Sequence, residues 1–380
     1  MMTSAKSRNM FIPLGLCVAF LFGVLRPSLA LSQTSVVTGT VKDDSTQAPI
    51  AGANVYVAGT TLGTITTKEG KFEIARVPFG RREIVASMLG FYADSRRVVL
   101  GTLESQPLVF ALRPQTYIFS PLTIKAEIPV EWRENLEVFK RAFIGTSANA
   151  SECTIENPEV IDFTVTKDGA LEASATSPFR IRNAALGYLI VYHGLTFLLD
   201  GEKISYQGVP IFQKMNSTDS NQVLRWEENR ERAYRGSLRH FLIALMKGKA
   251  EKDGFIFRTV DRPVYNDLKL GQIGENDVVH LRQVSTYSVE IGFSRYLLVT
   301  FLRGSEPFEY REFRENKFPG LSIPSDRVSS WISLPYDAAI VDPVGVPQDP
   351  FMIHVYGYWG WLRLADTLPE DYVPWSQQGQ

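Results

Sequence analysis

Between Val36 and Leu112 the chain alternates apolar and polar positions in short runs, and turn residues return about every ten positions. That rhythm predicts a small all-β sandwich. The runs are Val36–Val41, Val55–Val57, Thr64–Thr67, Phe72–Ile74, Ile84–Ser87, Arg97–Leu100 and Leu108–Leu112, about seven strands in all, with Val55 and Val57 on one face. Gly59, Gly63, Gly70 and Gly80 fall at the joints between them. Lys68-Glu69-Gly70-Lys71 reads as a hairpin turn between the third and fourth strands.

Past Arg113-Pro114-Gln115 the pattern changes, and all six tryptophans lie beyond this point. A strand-like run at Tyr117–Ala126 comes first. Trp132, Leu136, Phe139 and Phe143 then follow helical spacing, which predicts a helix from Val130 to Ile144 with one apolar face laid on a sheet. Strands follow at Val160–Thr166, Leu171–Thr176, Phe179–Arg182 and Leu186–Leu199, with Asp168-Gly169 and Asp200-Gly201 as turns that favour antiparallel pairing. A helical pair is expected between Asn221 and Lys247, broken at Gly236, restarted by a Ser237 cap and ended at Gly248. Its apolar stripe is Tyr234, Leu238, Phe241 and Leu245. Further strands are expected at Phe255–Val260, Ser288–Leu302, Val328–Leu334 and the aromatic run Met352–Leu364. The fold class is therefore mainly β: a seven-strand sandwich at 31–113, then a larger β-rich α+β domain at 114–380.

The first thirty residues carry Lys6 and Arg8, an apolar stretch from Met10 to Leu25, and the small-residue site Ser28-Leu29-Ala30. They read as a signal peptide, residues 1–30, cleaved after Ala30, which makes the protein exported, to the periplasm or in association with the outer membrane. Pro13 and Gly15 interrupt an apolar run already short for a membrane span. No later stretch reaches spanning length, so no transmembrane span is expected in the mature chain. Leu16 before Cys17 argues against lipidation. The two cysteines are Cys17 and Cys153, so cleavage would leave Cys153 without an intramolecular partner, and a buried thiol is the expected fate. Over 380 residues, 44% hydrophobic and 21% charged describe a chain that builds a core, and a net charge of -1 removes any electrostatic case for nucleic acid.

Gly39-Thr40-Val41-Lys42-Asp43, Pro49-Ile50-Ala51-Gly52-Ala53-Asn54-Val55, Gly63-Thr64-Ile65-Thr66, Gly70-Lys71-Phe72, Val77-Pro78-Phe79-Gly80 and Gly90-Phe91 stand in an order that resembles carboxypeptidase regulatory-like domains. The resemblance implies a transthyretin-like sandwich over residues 34–113, of the carbohydrate-binding-like group, as found in Bacteroidetes-type envelope proteins. With no Trp and only Tyr56 and Tyr92 in this stretch, a sugar-stacking platform on the sandwich is not expected. The segments Ile155-Glu156-Asn157-Pro158, Arg182–Tyr188, Ala233–Ser237 and Leu368-Pro369-Glu370-Asp371-Tyr372 resemble an uncharacterised family of such proteins and bring no assigned reaction.

Carboxypeptidase chemistry does not follow from this resemblance. The family's zinc needs His-x-x-Glu, whereas His193, His240, His280 and His354 are followed at that spacing by Thr196, Ile243, Gln283 and Gly357. No nucleophile elbow or phosphate loop occurs. Arg225, Arg232, Arg235 and Arg239 lie near one helix face; Glu228 and Glu231 precede Arg232 and Arg235 by four, which points to a solvated, ion-paired face rather than an anion grip. Tyr356, Tyr358, Trp359 and Trp361 read as core before sugar platform. Asn149-Ala150-Ser151 and Asn216-Ser217-Thr218 match glycosylation acceptors. No catalytic, cofactor or metal residue is assigned, and no cofactor is expected. The sequence thus points to a non-catalytic binding or assembly protein of the cell envelope, with a protein or glycan partner. A polymer-acting hydrolase (glycan or peptide) with its site in the C-terminal domain is the alternative.

Overall fold

The structure, a computed structural model, describes residues 34–101, 106–115, 129–263, 279–319 and 326–375. The expected signal peptide and the run at Tyr117–Ala126 lie outside the described residues. Seven strands form the N-terminal region: β1 (Thr34–Asp43), β2 (Asn54–Val57), β3 (Gly63–Ile65), β4 (Lys71–Pro78), β5 (Gly80–Ser87), β6 (Asp94–Leu100) and β7 (Leu108–Leu112). They make two sheets, β4-β1-β7 and β3-β2-β5-β6, in which only the β1·β7 pairing is parallel. Alternation explains the packing: Val37, Val41, Val55, Val57, Phe72, Ile74, Ile84 and Phe110 all turn inward between the sheets. The turn at Lys68–Lys71 forms, closed by Thr67 N–H donating to Lys71 C=O at 2.8 Å. It is not the turn of a paired hairpin, however, because β3 pairs with β2 and β4 with β1, so it carries the chain from one sheet to the other.

The C-terminal region opens with α1 (Val130–Phe139), whose last turn widens to a π-helical turn at Lys140–Ile144. After a short α2 (Ala148–Ser151) come β8 (Cys153–Ile155), β9 (Ile161–Val165), β10 (Leu171–Ala175), β11 (Phe179–Asn183), β12 (Tyr188–Asp200) and β13 (Lys203–Lys214). These six build an antiparallel sheet in the order β8-β11-β12-β10-β9, with β13 also on β12. The expected apolar face of α1 meets it: Phe139 and Phe143 stack 4.9 Å apart and pack against Phe179 and Phe197, and Trp132 Nε1 donates to Ile161 C=O at 3.0 Å.

A bulge between His193 and Thr196 changes which positions of β12 face inward. Before it, Tyr188, Ile190 and Tyr192 enter the α1 core; after it, Leu195 and Phe197 do. Val191, on the opposite face, points toward the sandwich.

The helical pair is α3 (Ser220–Tyr234) and α4 (Leu238–Met246), with Ser237 Oγ accepting from His240 N–H at 3.1 Å, the cap expected from the sequence. The remaining elements are β14 (Phe255–Val260), β15 (His280–Ser285), β16 (Ser288–Gly292), β17 (Tyr296–Phe301), α5 (Phe308–Lys317), β18 (Val328–Ser333), β19 (Ala338–Val341), β20 (His354–Gly357) and α6 (Tyr358–Trp361). They form two sheets, β14-β17-β18-β20 and β15-β16-β19, and Phe241 of α4 packs on Phe255, Phe257 and Trp359.

Two expected strands are corrected. Ser288–Leu302 is broken at Ser294-Arg295, where Arg295 takes a positive φ of 63°, and its halves belong to different sheets. The aromatic run 352–364 stops being a strand at Gly357, φ 71°, where the Trp331 ring occupies the place a Cβ would need. The chain turns there into α6, and Trp359 and Trp361 become core residues. The protein is thus mainly β, a seven-strand sandwich followed by a β-rich α+β region.

Candidate functional site

The sandwich and the larger region meet at a joint that is apolar at one end and charged at the other. At the apolar end Tyr56 of β2 and Val85 of β5 face out of the sandwich and pack with Val191, Val209 and Ile211 of the β12–β13 hairpin. Tyr56 Oη and His193 Nε2 share a hydrogen bond of 3.2 Å. Burial pushes the imidazole's pKa down to about 4, so His193 is neutral there, and burial also raises the Tyr56 phenol.

Next to it, the loop from Ala58 to Leu62 joins both regions through its backbone. Gly59 N–H donates to Pro210 C=O at 2.8 Å, Gly59 C=O accepts from Glu370 N–H at 2.8 Å, and Thr60 C=O accepts from Phe212 N–H at 3.1 Å. The φ of 73° at Gly59 lets both of its groups point across, and a Cβ there would stand 2.7 Å from Glu370 Oε1. Thr61 gives its N–H to Asp371 Oδ1 at 2.8 Å and its hydroxyl to Oδ2.

The charged end holds Arg82, Arg239, Asp342, Glu370 and Asp371. Arg82, on β5 and buried, spends its donors on Pro78, Arg81 and Phe79 carbonyls and on Asp342 Oδ2 at 2.7 Å. Asp342 also accepts from Val344 N–H and Val346 N–H, so this buried pair is fully bonded on its acidic side. Arg239 of α4 gives its donors to the carbonyls of Val344, Pro369, Glu370 and Tyr372, which ties down the tail that carries Glu370. Glu370 differs from its neighbours: no hydrogen bond from a described residue reaches its carboxylate, and its nearest cation is Arg82 Nη1 at 3.6 Å. Burial, opposed by Arg82 and reinforced by Asp342, raises its pKa to about 7.

A second carboxylate, Asp366, lies earlier in the same tail and accepts from Ser147 Oγ at 2.8 Å and Asn149 Nδ2 at 2.9 Å. Burial outweighs these bonds and raises its pKa to about 6.

The residues weighed in the sequence are dispersed. The four histidines stand on four elements, with His240 buried and accepting from Gly236 N–H at 3.1 Å, and His280 and His354 exposed. Among the described residues no group of three His, Cys, Asp or Glu side chains is placed to hold a metal ion. Cys153 is half-buried, and burial pushes its thiol up to about 12. Of the four arginines, Arg225, Arg232 and Arg235 are exposed, and Arg225 pairs with Glu152 rather than along its own helix. Arg239 departs from the expected solvated face altogether, since four carbonyls enclose it. Asn149 is engaged with Asp366, whereas Asn216 is exposed.

Sequence reasoning missed Arg82, Asp342, Asp366 and the role of Glu370. A signal was present nonetheless: the segments singled out for their resemblance meet in pairs, the first two across β8 and β11 and the last two where the Tyr234 and Tyr372 rings lie 6.1 Å apart, and neighbouring residues extend these contacts. Ile155 pairs with Ile181 next to Arg182; Trp226, Asn229 and Arg230 of α3 donate to Ala184, Ala185 and Leu186 carbonyls; Arg230 lies over the Tyr188 ring at 4.4 Å; and Asn183 Nδ2 reaches Ala365 C=O at 2.9 Å.

This sandwich, with its Pro-Phe-Gly corner and glycine joints, is a regulatory-like module. Residues 37–120 match the family described as CarboxypepD_reg-like domain, so the N-terminal region carries that domain. No curated protein matches the chain. Among solved structures, a type II cohesin–X-dockerin complex from Acetivibrio cellulolyticus is 28% identical over 20% of this chain and 52% of its own, with a TM-score of 0.17. A 9R-lipoxygenase from Cyanothece is 8% identical over 62% of this chain and 48% of its own, with a TM-score of 0.15. The alignments therefore span about half the length of each of these proteins.

Proposed function

We propose that the protein is an exported, non-catalytic component of the cell envelope, of the Bacteroidetes type, in which the sandwich and the α+β region act together as one binding or assembly unit. The observation that carries this reading is the joint. Apart from the Glu370 carboxylate, its polar groups are engaged in holding the sandwich to the larger region, through three backbone hydrogen bonds, the buried Arg82–Asp342 pair and the Thr61–Asp371 contact. A regulatory-like sandwich anchored in this way presents a fixed surface. The partner is an envelope protein or a glycan. The test is fractionation with intact-mass measurement, followed by cross-linking in intact cells: a mature chain starting at Leu31 and a reproducible envelope cross-link support the reading, and retention of residues 1–30 in the inner membrane contradicts it.

The hydrolase alternative draws on Asp366 and Glu370, two carboxylates that hold protons toward neutral pH, as a general acid must. Release of reducing sugar or peptide by the purified protein, abolished by Glu370→Gln, would establish it in place of the binding role.

A further inference from the structure

We propose that the joint is a proton-operated latch: the neutral Glu370 carboxyl lets the tail close over the Gly59–Thr61 loop, and its ionisation loosens that closure. This goes beyond the binding role and stands independently of what the protein binds.

The geometry sets the conflict. Glu370 is fixed at its backbone, N–H to Gly59 and C=O to Arg239, so its side chain stays in the joint for as long as those backbone bonds hold. Two acids face it, Asp342 from the loop after β19 and Asp371 from its own tail, and both already have donors. Two guanidinium groups face it as well, Arg82 from β5 and Arg239 from α4. Those cations are already committed, Arg82 to three carbonyls and Asp342, Arg239 to four carbonyls. An ionised Glu370 would be a third negative charge with no hydrogen bond and one cation contact at 3.6 Å, in a half-buried place. Water is the stronger partner for that charge. Moving toward water draws the tail away from Gly59 and Thr61, the two residues it holds.

The proton affinity agrees with this geometry, because burial raises the Glu370 pKa to about 7. His193, at the other end of the joint, is neutral above about pH 4 and adds no titration between pH 5.5 and 8.5.

Amide hydrogen exchange in the whole protein tests the latch, read at Gly59, Thr61, Phe212 and Glu370 at pH 5.5 and 8.5 after correction for intrinsic rates. We expect protection at these four amides to fall about tenfold or more at the higher pH, while amides inside the β1·β4 ladder change little. Glu370→Gln should keep high protection at both values. Equal protection at the two pH values, a loss spread evenly through the sandwich, or a Glu370→Gln protein that retains the pH dependence would each overturn the latch. Carbon NMR of the Glu370 carboxyl in the unaltered protein decides the matter even if the variant does not fold. A midpoint near 7 supports the latch, and one near the ordinary 4.5 refutes it.

Discussion

Two of the contact regions among the described residues are built from opposite materials. Where α1 lies on its sheet, Phe139, Phe143, Phe179, Tyr192 and Phe197 meet ring against ring with almost no polar atom involved. At the joint, Tyr56, Val85 and Ile211 supply a small apolar patch, and backbone groups, two arginines and three acids supply the rest. The first region depends on the volume of its rings rather than on charge. The second depends on which atoms carry protons, so it can be strong under one condition and weak under another.

The largest single loss is expected in the apolar region. Phe143→Ala removes a ring that touches Phe139, Phe179, Tyr192, Phe197 and Tyr206, and should cost about 4 kcal/mol of unfolding free energy in a urea titration. A loss under about 1 kcal/mol would show that α1 is not a seat of stability. Arg82→Met comes next. It strands Asp342, buried beside an empty guanidinium site, and should cost about 3 kcal/mol by the same titration. A neutral result would mean that the pair is exposed in solution.

The pH dependence separates the two regions. Folding raises the proton affinity of Glu370 from an ordinary value of 4.5 to about 7, and of Asp366 from 3.8 to about 6. The folded state therefore binds these protons more tightly than the unfolded chain. Their stabilisation is complete below about pH 4 and is lost as pH rises through 6 and 7. The expected change is on the order of 2 kcal/mol between pH 4.5 and 8, read from denaturation midpoints, and Glu370→Gln should remove the Glu370 share of it and leave the Asp366 share. Phe143→Ala should leave that slope unchanged.

Gly59→Ala sharpens the comparison further, because it adds one methyl group to the joint at a positive φ and against Glu370. We expect a loss of about 1–2 kcal/mol by thermal melting, larger at high pH than at low pH. The smallest effect belongs to the surface. Arg180→Ala removes an exposed pair with Glu156 and should shift stability by no more than about 0.5 kcal/mol.

The same contrast explains what was legible in the sequence. Strands β1 to β7, α1 and the α3–α4 pair follow from periodicity, since each writes its buried face into a local pattern. The Ser237 cap and the Gly248 stop are local as well. The break at Arg295 and the turn at Gly357 are not, because a positive φ at Arg295 and the Trp331 ring against Gly357 are consequences of sheet partners far along the chain. The joint was hidden for the same reason: Arg82 and Asp342 stand 260 positions apart, and Thr61 and Asp371 stand 310 apart. Arg239 misled the helical reading because Arg235 and Arg232, four and seven positions before it, do lie on the solvated face.

The central claim is that the sandwich and the α+β region are one body, in keeping with the backbone hydrogen bonds and the buried Arg82–Asp342 pair that join them. Scanning calorimetry of the mature protein at pH 5.5, where the joint is expected to be closed, addresses this most directly. The account predicts one transition whose calorimetric and van't Hoff enthalpies agree. Two separable transitions, with the sandwich melting apart from the rest, would contradict it.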